Sequence, residues 1–251
     1  MVDDEVLPRR VVASYAAGSV GTGGFGVLPG LVLSYYLTDT LGVAAGLAGL
    51  VVTVPKIWDV VIDPFIGRFS DRHALRHGTH RRFLLAGAAT LPLAFVLLFA
   101  VPAPLTDAAA ALWVVGAFLL ATTAFSLFQV PYIGLPAQLA RGYAARTRLV
   151  APRIAVLALA ILAFGAGGPM VRDAVGGGRA GYLAMAVAAA ALMGVGLAVA
   201  AIGTTPRARA TQPATVGTQP AAARTTPPAT AGTREAVAAP SGPAAGVGSV
   251  A

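Results

Sequence analysis

Cysteine is absent from the 251 residues, which removes disulfides, thiol nucleophiles and thiolate metal ligands together. Charge is scarce as well. Only 11 % of residues are Asp, Glu, Lys or Arg, against roughly a quarter in an ordinary soluble domain. With 57 % hydrophobic residues and a mean hydropathy of +0.76, too little polar surface remains to cover a water-soluble globule of this size. A soluble enzyme is excluded as the default class, and so is disorder over most of the chain. The net charge of +8 invites a nucleic-acid reading, but its arginines fall in short clusters between long apolar runs. That distribution is a membrane pattern. The expected partner is the lipid bilayer, with no nucleic acid.

Six apolar stretches reach or approach the roughly 20 residues that cross a bilayer as a helix. They lie near Val11–Tyr36, Ala44–Ile66, Phe83–Val101, Ala108–Leu135, Ile154–Val171 and Gly181–Ile202. Barrel-type alternation is missing, and the runs far exceed the roughly ten residues of a barrel strand. The expected fold class is all-α: six transmembrane helices over residues 1–203. The opening Met1-Val2-Asp3-Asp4-Glu5 is acidic where a signal peptide is cationic, so the first helix is expected to stay in the membrane. Residues 204–251 contain seven prolines and no Leu, Ile, Met or aromatic residue. Such a segment cannot offset its ordering entropy by apolar burial, and it is expected to be a disordered tail. A linker, a regulatory tail and the product of a shifted reading frame all fit that composition.

The arginines orient the bundle. Arg9 and Arg10 precede the first stretch, and Arg68, Arg72, Arg76, Arg81 and Arg82 lie between the second and third. Arg141, Arg146 and Arg148 lie between the fourth and fifth, and Arg207 and Arg209 follow the sixth. The opposite connections hold only Arg172 and Arg179. The positive-inside rule then places both termini in the cytoplasm of a multi-pass inner or plasma membrane protein, which an even number of spans permits.

The second stretch carries the most informative residues, Pro55-Lys56-Ile57-Trp58-Asp59-Val60-Val61-Ile62-Asp63-Pro64. At helical periodicity Lys56, Asp59 and Asp63 share one face. Each ionised group in hydrocarbon costs at least about 2.5 kcal/mol on insertion scales, so this face must meet protein or an aqueous cavity. Two neighbouring carboxylates raise each other's affinity for a proton or a small cation, and oxygen ligands suit a hard ion such as Na⁺. Neutralisation by Lys56 in a purely structural ion network is the other reading. Gly67-Arg68-Phe69-Ser70-Asp71-Arg72 follows, and Gly78-Thr79-His80-Arg81-Arg82 closes the connection. An aspartate beside such a basic loop can form a charge lock that opens when the bundle rocks; an ordinary positive-inside loop is the alternative.

These segments resemble the signature of the major facilitator superfamily between its second and third helices, Gly-x-x-x-Asp-Arg followed by Gly-x-Arg-Arg, with a longer linking stretch. Together with Tyr35-Tyr36-Leu37-Thr38-Asp39-Thr40-Leu41-Gly42, Gln129-Val130-Pro131-Tyr132-Ile133-Gly134-Leu135, Arg146-Thr147-Arg148 and Pro152-Arg153, the pattern resembles the glycoside–pentoside–hexuronide:cation symporter family. The likeness runs from about Ser14 to Val171 in matching order. It implies the N-terminal half of the major facilitator bundle and transport of a sugar or related small solute. Coupling would be to H⁺, Na⁺ or Li⁺, with no organic cofactor. Asp59 and Asp63 fall on the family's cation-site aspartates, and Arg153 on a fifth-helix arginine near the sugar. Where the sugar transporters carry aspartates in helices 1 and 4, this chain has Gly23 or its neighbour and Gln129. Asp71, Arg72, Arg81 and Arg82 fall on the cytoplasmic gating motif. A substrate path between two halves then needs a second six-helix half or a homodimer. The competing expectation is a non-transporting membrane remnant or interaction module.

Other motifs carry less. Gly21-x-Gly23-x-x-Gly26 has the form of a dinucleotide fingerprint but lacks a preceding strand. Close helix packing or unwinding beside a cavity accounts for it better, and Gly26-x-x-x-Gly30 fits packing. Pro29, Pro55, Pro64 and Pro131 suggest helix breaks. His73, His77 and His80 have metal-ligand spacing only if their segment is helical, and Gly78 interrupts it. No nucleophile–base constellation appears, so no enzyme is expected. A reporter fused after Gly203 should read cytoplasmic, and one at Thr106 or Gly176 external; a cytoplasmic signal at Thr106 contradicts six spans.

Overall fold

A computed structural model describes residues 7–103, 105–140 and 142–204. The acidic opening, Arg141, Arg207, Arg209 and the tail beyond Thr204 lie outside the described residues. Within them the chain is all-helical. Its helices are α1 (Arg9–Tyr35), α2 (Ala45–His77), α3 (Arg81–Phe99), α4 (Asp107–Leu139), α5 (Tyr143–Ala174) and α6 (Gly178–Gly203). A π-helical turn, Tyr36–Thr40, extends α1. All six are long and apolar enough to span a bilayer.

Two boundaries differ from the sequence expectation for one reason. Apolarity marks where a helix leaves hydrocarbon, whereas capping marks where it ends. Thus α2 continues past Ile66 to His77, through the Gly67–Arg72 motif expected to be a connection. It stops at Gly78, whose φ of +70° permits the left-handed cap and whose N–H donates to the Ala74 carbonyl. Arg76 and His77 in the last turn favour the helix dipole. Likewise α5 begins at Tyr143, after Gly142 at φ +90°, well before Ile154. The expected proline breaks are absent: Pro29, Pro55, Pro64 and Pro131 all sit inside unbroken helices. Membrane helices tolerate proline because neighbouring helices and local adjustment satisfy the freed carbonyls.

The packing has an internal two-fold pattern. Helix α1 lies against α5 and α6, α4 lies against α2 and α3, and α3 meets α6. Exchanging α1–α3 with α4–α6 maps these contacts onto one another, as in the three-plus-three repeats of a major facilitator half. Tyr15, Leu28, Tyr36, Phe95, Phe99 and Phe128 fill the interior. Helices α2 and α5 are the least covered, with 17 % of their most apolar segment buried against 44–67 % for the others.

Where α2 turns into α3, His80 is 6 % exposed and sits between two helices. Gln138 Nε2 of α4 donates to its Nε2 at 2.8 Å, and its Nδ1 lies 2.8 Å from Ser70 Oγ of α2. With Nε2 accepting, Nδ1–H donates to Ser70, so the neutral ring satisfies both helices. Burial pushes the His80 pKa below its ordinary 6.5, against a smaller opposite pull from Asp71. The unfolded chain therefore takes up this proton at a higher pH than the folded one does. The contribution is complete above about pH 6.5 and shrinks as pH falls toward the lower folded value. The melting temperature in detergent should drop on acidification below about pH 6.5, and His80→Gln should flatten that dependence.

Candidate functional site

The glycines of α1 set how closely the other helices approach. A Cβ at Gly18 would meet Tyr132 Cε2 at 2.7 Å, one at Gly21 would meet Leu197 Cγ at 2.3 Å, and one at Gly24 would meet Phe164 Cε2 at 2.8 Å. Gly23 is tight as well, with Ala160 Cβ at 3.0 Å. These positions are packing surfaces, as one of the two sequence readings has it. Gly26 and Gly30 are not: a Cβ at either meets nothing within 4 Å. The packing expected of that pair is overturned, and both instead line open space beside α2.

Two clefts adjoin at Gly26. The first, about 200 Å³, is walled by α1, α2 and α4 and exposes Pro55, Lys56, Asp59 and Thr122. Ser126 of α4 donates to Asp59 Oδ1 at 3.0 Å. Asp63, one helical turn on, is half-buried and carries a buried Oδ1 without a hydrogen-bond partner. Lys56 is exposed. Among the described residues the one ion pair within 4.0 Å is Arg172–Asp173, so Lys56 salt-bridges neither aspartate. Nearby, Trp58 Nε1 donates to Thr123 Oγ1 at 2.9 Å and ties α2 to α4.

The second cleft, about 350 Å³, is walled by α1, α4 and α5. Gly23, Gln129 and Arg153 all line it, with Thr22, Leu157 and Ile161. The Arg153 guanidinium lies 5.8 Å from the Tyr15 ring centroid and 5.0 Å from that of Tyr132. The two rings are tilted against each other at 4.7 Å. Tyr132 is held in turn, since its hydroxyl donates to the Tyr15 carbonyl and lies 3.3 Å from Ser19 Oγ. Gln129 Oε1 and Arg153 Nε are both buried without a hydrogen-bond partner.

The gating residues are not gathered into a lock. Asp71 and Arg72 are exposed on α2 rather than at its end, and Arg81 and Arg82 are exposed at the start of α3. Among the described residues none of the four is in an ion pair. The three histidines separate as well. His73 and His77 stack on α2 with ring centroids 4.1 Å apart, while His80 turns inward to Ser70 and Gln138. Sequence reasoning missed Ser126 and Tyr15, and it read the Gly26–Gly30 pair as packing. Ser126 had a readable signal, a polar residue one turn before Gln129 on the same helix face. Nothing in the sequence separated open Gly26 from packed Gly24.

A bundle of membrane-spanning helices, with mostly apolar clefts that carry a few polar side chains, defines a multi-pass membrane protein built as a half of the major facilitator fold. The model of the MFS/sugar transport protein family matches residues 14–228. The chain belongs to that family, within the glycoside–pentoside–hexuronide:cation symporters of the major facilitator superfamily. It is 34 % identical to a glucuronide carrier protein homolog of Escherichia coli over 166 residues, 64 % of this chain and 36 % of that protein. An uncharacterized symporter of Synechocystis sp. is 31 % identical over 156 residues, 60 % of this chain and 29 % of that protein. The chain thus spans about a third of the length of these curated relatives.

The two kinds of glycine give a direct test. Gly24→Leu should lose about 1–3 kcal/mol of stability by overpacking. Gly26→Ala should leave stability unchanged or slightly raised, since it fills only open space. Denaturation in mixed micelles measures both.

Proposed function

We propose that this chain supplies one six-helix half of a cation-coupled symporter for sugars or related small solutes. The observation that carries the reading is Asp59: a carboxylate on a cleft wall in a membrane helix, held by Ser126 and free of any cationic partner among the described residues. A group so expensive to keep ionised in a membrane is explained by a ligand that completes it. Asp59 and Asp63 hold the coupling ion, H⁺ or Na⁺ and by the same chemistry Li⁺. Gly23, Gln129 and Arg153 face the solute. Asp71, Arg72, Arg81 and Arg82 act at the cytoplasmic end, pairing only in another conformation of the assembly. Both termini are cytoplasmic in an inner or plasma membrane. Residues 9–203 form the bundle. The sparsely covered α2 and α5 receive a second six-helix half, from another chain or a second copy.

Partnered with such a half in vesicles, the protein should accumulate solute against its gradient only when an ion gradient is imposed. Asp59→Asn or Asp63→Asn should abolish ion-driven accumulation, because each removes an oxygen ligand and a charge. Membrane insertion should stay largely intact, since Asn is nearly isosteric and cheaper to bury. If the aspartates merely neutralise Lys56, pairing Asp59→Asn with Lys56→Met should restore stability and coupled uptake together. Recovery in that double variant defeats the cation-site reading.

A further inference from the structure

The last turns of α2 run helically through His73 and His77, and only His80 falls beyond the Gly78 cap. Four residues apart on a helix, the first two side chains rise from one face with Cβ atoms about 5–6 Å apart. Their rings stack with centroids 4.1 Å apart and planes at 17°. His77 Nδ1 lies 3.2 Å from the His73 carbonyl oxygen. A carbonyl can only accept, so Nδ1 carries the proton and His77 Nε2 keeps its lone pair. His73 Nε2 is buried without a hydrogen-bond partner. The pair therefore holds ring nitrogens that the packing of the bundle does not use.

Charge decides what such a pair can hold. Two imidazolium cations about 4 Å apart repel by roughly 1 kcal/mol even in bulk water, and the exposed Arg76 and Arg82 add to that cost. Neutral rings are favoured, and the proton of His77 is already given to a carbonyl. An anion would find few donors here, whereas a metal ion needs the lone pairs. Two metal–nitrogen bonds of about 2.0–2.1 Å span at most about 4.2 Å, so these rings reach one ion after a small tilt of their Nε2 edges. An Nδ1–H bonded to a backbone carbonyl is also the usual way a metal-binding imidazole is oriented. Among the described residues no third histidine or carboxylate completes the group, and the sequence has no cysteine. Water then fills the remaining positions. Such a set disfavours Mg²⁺ and Ca²⁺, which take oxygen, and suits the ions that bind imidazole.

We infer that His73 and His77 form a two-histidine site at the Gly78 end of α2 for a late first-row divalent metal ion, Cu²⁺ ahead of Ni²⁺ and Zn²⁺. The inference uses neither cleft and does not rest on the transport reading. Phe83 of α3 braces the His73 ring edge-on, with centroids 5.6 Å apart, while His77 is exposed. His73 is thus the fixed ligand and His77 the one that swings. The arginines stand in the ion's field and weaken it, so affinity falls in the micromolar range, below that of closed structural sites. A bound ion ties two successive turns of α2 together and stiffens the helix end that carries Asp71 and Arg72.

The test uses the full chain, free of any affinity tag, in detergent micelles at neutral pH. Cu²⁺, Ni²⁺, Zn²⁺ and Mg²⁺ are titrated separately by calorimetry. One equivalent of Cu²⁺ should bind in the micromolar range, Ni²⁺ and Zn²⁺ more weakly, and Mg²⁺ not at all. His73→Ala and His77→Ala should each weaken Cu²⁺ by about tenfold or more. Neither residue belongs to the buried interior, so both variants keep the fold. His80→Gln should leave Cu²⁺ binding unchanged, since both ring nitrogens of His80 are taken. Leu75→His combined with His77→Ala keeps the number of histidines but moves the second imidazole about 160° round the helix. That variant should bind no better than His77→Ala alone. Electron paramagnetic resonance of the Cu²⁺ complex should show two nitrogen ligands in the parent chain and one in either single variant. Cu²⁺ binding weaker than about 1 mM, binding unchanged by His73→Ala or His77→Ala, or full binding by the relocated pair overturns the inference.

Discussion

Lipid chains are as apolar as leucine, so nothing like the hydrophobic effect in water presses one membrane helix against another. The helices of this bundle must be held by close van der Waals fit, and the glycine face of α1 supplies it. Tyr132 of α4, Phe164 of α5, and Leu197 and Met193 of α6 occupy the space that side chains at Gly18, Gly21 and Gly24 would fill. Gly196 of α6 reciprocates, since its Cβ would lie 2.7 Å from the Ala17 carbonyl. Both clefts depend on this packing. Tyr132 reaches Arg153 because Gly18 lets it in, and Gln129 lies one turn before Tyr132 on the same helix.

The polar groups follow from that frame. Ser126 of α4 donates to Asp59 of α2 at one cleft, and Gln129, one turn on, lines the adjoining cleft with Arg153 of α5. One helix thereby borders both clefts, which share the open backbone at Gly26. Pairing the two charges directly would have been the low-cost arrangement in a medium of low polarity. They are kept in separate clefts. A charge left unpaired in a membrane is costly by default, and a site is the ordinary reason for keeping one.

Much of this was legible in the residues. Span number and helical class followed from run length and from arginine clusters, because bilayer thickness constrains sequence directly. The face shared by Asp59 and Asp63 followed from helical spacing. What stayed hidden depended on caps and on partners distant in sequence. Helix α2 ran on to His77 because Gly78 ends it, whereas hydropathy had ended it near Ile66. Gly24 and Gly26 are two residues apart and chemically identical, yet one packs on Phe164 and the other opens on a cleft. No property of glycine distinguishes them. Only the position of the neighbouring helices does, and those lie far along the chain. The proline breaks failed for the same reason, since tolerance of proline is decided by surrounding helices.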